Sequence, residues 1–209
     1  MDFTFTDQQR EIRDAIMKLC EGFGPDYWLD RDNTGEYPED FYQALAAGGW
    51  LGIAMPEEYG GSNLGISEGA VMMEAIAESG AGLSGASAVH INIFGPHPVV
   101  KHGTKEQKDR FLPPLIAGKE KVCFGVTEPN AGLNTSAITT KAERTDNGYI
   151  VHGQKMWTTT AQRADKLLLL ARTTPRDQCK RAFDGITLFY TDLDRNKVEI
   201  REIAKMGRK

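Results

Sequence analysis

Two short segments hold residue types at spacings that could do chemistry. The first is Cys123-Phe124-Gly125-Val126-Thr127-Glu128-Pro129-Asn130-Ala131-Gly132-Leu133-Asn134-Thr135. Here a strand-like run enters a proline–glycine turn with hydroxyls on both sides. Such a turn presents backbone N–H groups, and glycine lets a ligand oxygen approach them closely. The second is Gly153-Gln154-Lys155-Met156-Trp157-Thr158-Thr159-Thr160, an aromatic plate followed by hydroxyls. That pairing suits a flat heterocycle with polar edges. Spacing alone favours a plainer reading, two β-turns and one core tryptophan.

The elements that must position these segments differ between the two halves of the chain. Residues 1–118 read as helical. Thr6 with Gln9 forms a capping box, and Ile12, Ile16, Leu19 and Phe23 recur along one helix face. Pro38 stands where a first-turn proline belongs, with Phe41, Leu45 and Ala46 behind it and Gly48-Gly49 as a stop. Ser67 is expected to cap a third helix carrying Val71, Met72, Ala75 and Ile76. A fourth is expected from Ser84 to Phe94, breaking at Pro96. Thr104 with Gln107 makes a second capping box, and Pro113-Pro114 is expected to close that helix near Leu112.

After Gly118 the period shortens to two. Val122, Phe124 and Val126 alternate as in a strand. Lys141–Arg144 and Tyr149–His152 flank Asp146-Asn147-Gly148, a hairpin signal. Asp165–Arg172, Gly185–Asp192 and Lys197–Arg201 supply further expected strands. The fold class expected is therefore multi-domain α and β: a helical domain over 1–118, then an antiparallel β-barrel or sandwich over 119–209.

Composition excludes several classes. The 209 residues are 40% hydrophobic and 26% charged with a net charge of −4, a globular balance rather than a disordered one. The longest aliphatic run, Leu167 to Ala171, is far short of the ~20 residues of a membrane helix. An acid at position 2 in place of bases predicts no targeting segment. No block of Lys and Arg suggests nucleic-acid binding. Cys20, Cys123 and Cys179 fit neither a disulfide framework nor a metal site, and a reducing, cytoplasmic setting is expected, or the mitochondrial matrix for a processed chain.

Taken together, the two segments resemble the acyl-CoA dehydrogenases, flavin enzymes that introduce a double bond next to a thioester carbonyl. Thr127-Glu128-Pro129 with Ala131-Gly132 resembles the family's T-E-P-x-A-G-S-D turn. Gly153, Lys155, Trp157 and Thr159 resemble its G-x-K-x-W-I-T segment. Further matches are Pro56-Glu57-Glu58-Tyr59-Gly60-Gly61, Gly103-Thr104-Lys105-Glu106-Gln107-Lys108 with Leu112-Pro113, Leu168–Thr173, and Lys205-Met206-Gly207.

The resemblance implies FAD. It assigns Phe124 and Val126 to flavin contacts, Thr127 to a hydrogen bond with the ring, Trp157 to packing, and Thr158 and Thr159 to the hydride-accepting nitrogen. Gly132 and Leu133 fall on the cofactor-binding turn. There the family's serine and aspartate are replaced by Leu133 and Asn134, and Leu133 has no side-chain donor. His90 falls where residues can line the far end of the acyl pocket; a packed core histidine is the alternative. Family members carry a further C-terminal helical bundle with the proton-abstracting glutamate. This chain is expected to end inside its β domain without that bundle. No catalytic residue and no metal ligand is assigned within it, and the chain alone is expected to be inactive. The implied partners are an acyl-CoA, an electron-transfer flavoprotein or similar acceptor, and further copies in a homo-oligomer, with neither nucleic acid nor a membrane span. An acyl-CoA oxidase or flavin monooxygenase on the same fold, and a scaffold that has lost the cofactor, remain the competing readings.

Overall fold

A computed structural model describes residues 4–203, and the Lys205-Met206-Gly207 match lies outside them. The described chain forms two compact units, one of residues 4–121 with 202–203, the other Val122–Arg201.

The first unit contains seven α-helices. Helix α1 (Asp7–Cys20) starts at the expected box: Thr6 Oγ1 accepts from the Gln9 N–H at 3.2 Å, and Gln9 Oε1 accepts from the Thr6 N–H at 3.1 Å. Ile12, Ile16 and Cys20 are its buried side. Helix α2 (Pro25–Thr34) opens on proline and closes on Gly35 at φ 70, and it was not expected from the sequence pattern. Helix α3 (Glu39–Ala47) buries Phe41, Tyr42 and Leu45. Trp28 and Phe23 meet the Phe41 ring edge-on at 5.0 and 5.3 Å. Each such large side chain taken from water stabilises the unit by about 1.5–3 kcal/mol.

Helix α4 (Ile66–Ile76) corrects the expected Ser67 cap. Gly65 occupies the cap position, and the Glu68 carboxylate accepts its N–H at 2.9 Å, so the acid does the capping and Ser67 lies inside the helix. Helix α5 (Gly82–Phe94) starts two residues before the expected Ser84. Between them lies a short π-helical segment, Ala77–Ala81, with Gly80 at φ 100. Helix α6 (His97–His102) follows Pro96 at once. Helix α7 (Lys105–Ile116) begins at the Thr104–Gln107 box but runs through Pro113 and Pro114. The prolines lack donors, yet their carbonyls still accept, Pro113 from the Ala117 N–H at 3.0 Å and Pro114 from the Lys119 N–H at 2.9 Å.

The second unit is a five-stranded sheet of β1 (Val122–Gly125), β2 (Lys141–Thr145), β3 (Gly148–His152), β4 (Lys166–Arg172) and β5 (Ile186–Asp192). The order is β1-β4-β2-β3, with β5 also on β4. Three expectations are corrected. The sheet is mixed, because β1 runs parallel to β4 and Lys141 of β2 pairs in parallel with Arg172, while β2–β3 and β4–β5 are antiparallel. It is also open rather than a closed barrel, and Lys197–Arg201 forms no strand. Hairpin signals report only neighbouring strands. The parallel pairings join segments separated by long excursions, which leave no turn signature. The β2–β3 hairpin itself turns at Asp146-Asn147 and needs Gly148 at φ 144.

Candidate functional site

Strand β1 delivers Phe124 half-buried between the buried Cys123 and Gly125, and the chain leaves the sheet at the half-buried Val126 and Thr127. The turn that follows is closed by two backbone bonds, from the Glu128 N–H to the Ala131 carbonyl at 2.9 Å and from the Ala131 N–H to the Glu128 carbonyl at 3.2 Å. Gly132 and Leu133 stand beyond it, and Leu133 is fully exposed. Asn134 is spent locally, its Oδ1 accepting from the Ser136 N–H and hydroxyl.

The second segment is fastened alongside the first. The Met156 N–H donates to the Thr127 carbonyl at 2.8 Å. Lys155 Nζ donates to the Val126 carbonyl at 3.0 Å and to Glu128 Oε1 at 2.8 Å. Glu128 is only 4% exposed. Its carboxylate also accepts from the Thr139 N–H and hydroxyl and from the Thr140 N–H, at 2.6–2.9 Å. Burial pushes this carboxyl up, but Lys155 and the amide and hydroxyl donors outweigh it and hold the group at about 2. Burial lowers the Lys155 ammonium, and Glu128 restores part of that loss.

Gly153 leads into this arrangement with no room for a side chain. A Cβ there would lie 2.2 Å from Thr140 Oγ1 and 2.7 Å from its Cα. Arg172, buried at the end of β4, donates to the carbonyls of Ser136 at 2.9 Å and Asp184 at 3.1 Å, fixing the two loops behind the site.

Trp157 and Thr160 bracket the threonine run, both with left-handed backbone, at φ 59 and φ 69. Such φ values are outliers for bulky or β-branched residues and concentrate at ligand clamps. Trp157 is 59% exposed, so it is not the core tryptophan of the plainer reading. Thr158 is half-buried, Thr159 exposed, and Thr160 buried with its Oγ1 lacking a partner. The structure thus brings Phe124, Val126 and Thr127 beside the segment carrying Trp157, Thr158 and Thr159. An exposed aromatic, nearby hydroxyls and an unpartnered buried oxygen fit a flat, polar-edged cofactor such as a flavin.

Sequence reasoning missed the Glu128–Lys155 pair and Thr160. Glu128 and Lys155 were visible within the two motifs, but nothing local indicates that residues 27 apart in sequence share a hydrogen bond. Cys123 is buried, and that burial pushes its thiol up to about 12, which suits packing rather than nucleophilic chemistry.

In the helical unit, α4 and α5 border a groove of about 400 Å³ lined by Ala70, Met73, Leu83, Ser87, His90 and Phe94. His90 is half-buried in its wall, not packed within the core. Among the described residues no three His, Cys, Asp or Glu side chains gather as a metal site, and no helix is long and apolar enough to cross a membrane.

Comparison with known proteins agrees with this picture in both units. Residues 6–119 match the N-terminal domain of acyl-CoA dehydrogenases, and residues 123–209 match their middle domain. The chain is 32% identical over 208 residues to a benzylmalonyl-CoA dehydrogenase of Aromatoleum aromaticum, covering 99% of this chain and 53% of that protein. It superposes on an acyl-CoA dehydrogenase from Geobacillus kaustophilus with a TM-score of 0.81 and 29% identity, over 93% of this chain and 50% of the other. An FAD complex of PigA superposes with a TM-score of 0.82 and 25% identity, over 92% and 49%. The chain spans about half the length of these relatives.

Proposed function

The chain belongs to the acyl-CoA dehydrogenase family, and from that premise we propose that the whole protein is a flavin-dependent acyl-CoA dehydrogenase. FAD, when bound, supplies the acceptor for the β-hydride of an acyl thioester, which becomes a trans-2-enoyl thioester. The observation that carries this reading is the hydrogen-bonded seam from Thr127 to Met156 and from Glu128 to Lys155, which holds both cofactor segments side by side.

In this reading Phe124 and Val126 contact the flavin, Thr127 donates to its ring, Trp157 packs on it, and Thr158 and Thr159 serve its hydride-accepting nitrogen. Donors fixed in place before reaction stabilise developing negative charge without reorganising. Gly132 and Leu133 border the cofactor from the turn, through backbone rather than the Leu133 side chain. His90 lines the acyl pocket. The α-proton is assigned to a base outside these 209 residues. Glu128, the carboxylate of the two segments, is held at about 2 by the donors that fill it, which makes it too weak and too occupied a base for this step. The sequence division into domains 1–118 and 119–209 falls three residues before the Lys121–Val122 boundary between the two compact units, and Glu202 and Ile203 group with the helical one. The protein works as a homo-oligomer in the cytoplasm or a mitochondrial matrix and passes electrons to an electron-transfer flavoprotein or similar acceptor.

Leu133 favours one second reading. A fully exposed leucine without a donor on the cofactor turn suits a scaffold that has lost the flavin. The absorbance spectrum of the purified whole protein separates the two. A flavin band that bleaches on anaerobic addition of an acyl-CoA supports the dehydrogenase; a colourless protein that takes up no FAD supports the scaffold. Rapid recolouring with oxygen as sole acceptor would identify an oxidase or monooxygenase.

A further inference from the structure

Helix α5 places Ser87 and His90 three residues apart, so both side chains lie on one face. That face lines the groove, with Met73, Leu83 and Phe94 supplying the apolar wall. Both polar residues are half-buried, and neither side chain hydrogen-bonds to another described residue. Their donors are thus uncommitted in a wall otherwise able to take hydrocarbon.

Hydrocarbon placed against these donors strips their water and returns nothing, which costs free energy. An oxygen placed there restores the lost hydrogen bonds. The serine hydroxyl and an imidazole N–H both donate, and one acceptor oxygen can take both. A site built around such donors rejects a ligand lacking the acceptor much more strongly than a plain pocket discriminates by size.

We propose that the acyl group accepted by this protein carries a hydrogen-bond-accepting oxygen at its distal end, bound by Ser87 and His90. This rests on the reading of the groove as the acyl pocket. Met73 and Phe94 hold the methylenes, and the exposed Leu83 forms the apolar rim. A carboxylate and a hydroxyl both provide the required oxygen.

The test uses the whole flavin-loaded protein with three six-carbon thioesters: hexanoyl-CoA, 6-hydroxyhexanoyl-CoA and adipoyl-CoA. His90 imidazole resonances and flavin bleaching are followed in the same anaerobic titrations. At least one oxygen-bearing thioester should bind at least tenfold more tightly than hexanoyl-CoA and shift the His90 resonances, and the better of the two identifies hydroxyl or carboxylate. Ser87→Ala and His90→Gln should each reduce that preference about tenfold, and Ser87→Ala leaves the helix-forming backbone intact if the histidine variant fails to fold. Hexanoyl-CoA binding as well as the others, or binding without a His90 shift, overturns the proposal. Bleaching without a His90 shift overturns it while sparing the dehydrogenase reading; a His90 shift without bleaching does the reverse.

Discussion

Lys155 Nζ bonds both Glu128 and the Val126 carbonyl, so one ammonium joins the strand end, the turn and the tryptophan segment. At 11% and 3% side-chain exposure, Lys155 and Glu128 form the buried ion pair of the site. Removing one partner of such a pair leaves an uncompensated charge and typically costs 3–5 kcal/mol. Lys155→Met should therefore destabilise the protein by about 3–5 kcal/mol in urea unfolding, and Glu128→Gln added to it should recover part of the loss. A single variant within about 0.5 kcal/mol of the wild type would contradict this role.

Acid should expose the same pair. The Glu128 carboxyl falls from 4.5 in the unfolded chain to about 2 in the folded one. A depressed carboxyl stabilises the fold fully above its unfolded value, and that stability is lost as pH falls through the folded value. The window is pH 4.5 down to about 2, and the contribution at stake is about 3 kcal/mol. Unfolding free energies of wild type and Glu128→Gln should converge across that window. Parallel curves would refute the assignment.

Gly153→Ala should be strongly destabilising, because its Cβ would meet Thr140 at Oγ1, Cβ and Cα alike. Thr140→Ala should not rescue it, since Cα and Cβ remain. A thermal midpoint within a degree of wild type would show that the segments separate more readily than the seam implies.

Thr159 is exposed, so Thr159→Val should change folding stability by under about 0.5 kcal/mol. If its hydroxyl serves the flavin, the same change should lower the flavin potential or the turnover of the whole enzyme. Unchanged potential and turnover would remove Thr159 from the site.

The 209 residues alone should bind FAD weakly and produce no enoyl product. Glu128 is occupied and cannot take the α-proton, and a positioned base contributes about 10²–10⁴-fold. Stoichiometric FAD binding with enoyl-CoA formation would require a base among these residues.

The helices were legible where capping chemistry is local, as at Thr6–Gln9 and Thr104–Gln107, and the strands where a turn signal separates them, as at Asp146-Asn147-Gly148. Pairings between distant segments were not. The parallel alignment of Val122 with Lys166 leaves no mark on either local pattern, and the mixed, open sheet follows from such contacts. Residue types in the candidate site could be read from its motifs. The left-handed backbone at Trp157 and Thr160 could not, because neither is glycine or asparagine, the residues that ordinarily signal it.

In the proposed enzyme the flavin lies on the seam joining Thr127 and Glu128 to Met156 and Lys155. A crystal structure of the whole protein with FAD tests it most directly. The expected result is an isoalloxazine ring against Phe124–Thr127, with Trp157 packed on it and Thr158 and Thr159 at its hydride-accepting nitrogen. A ring bound away from both segments would contradict it.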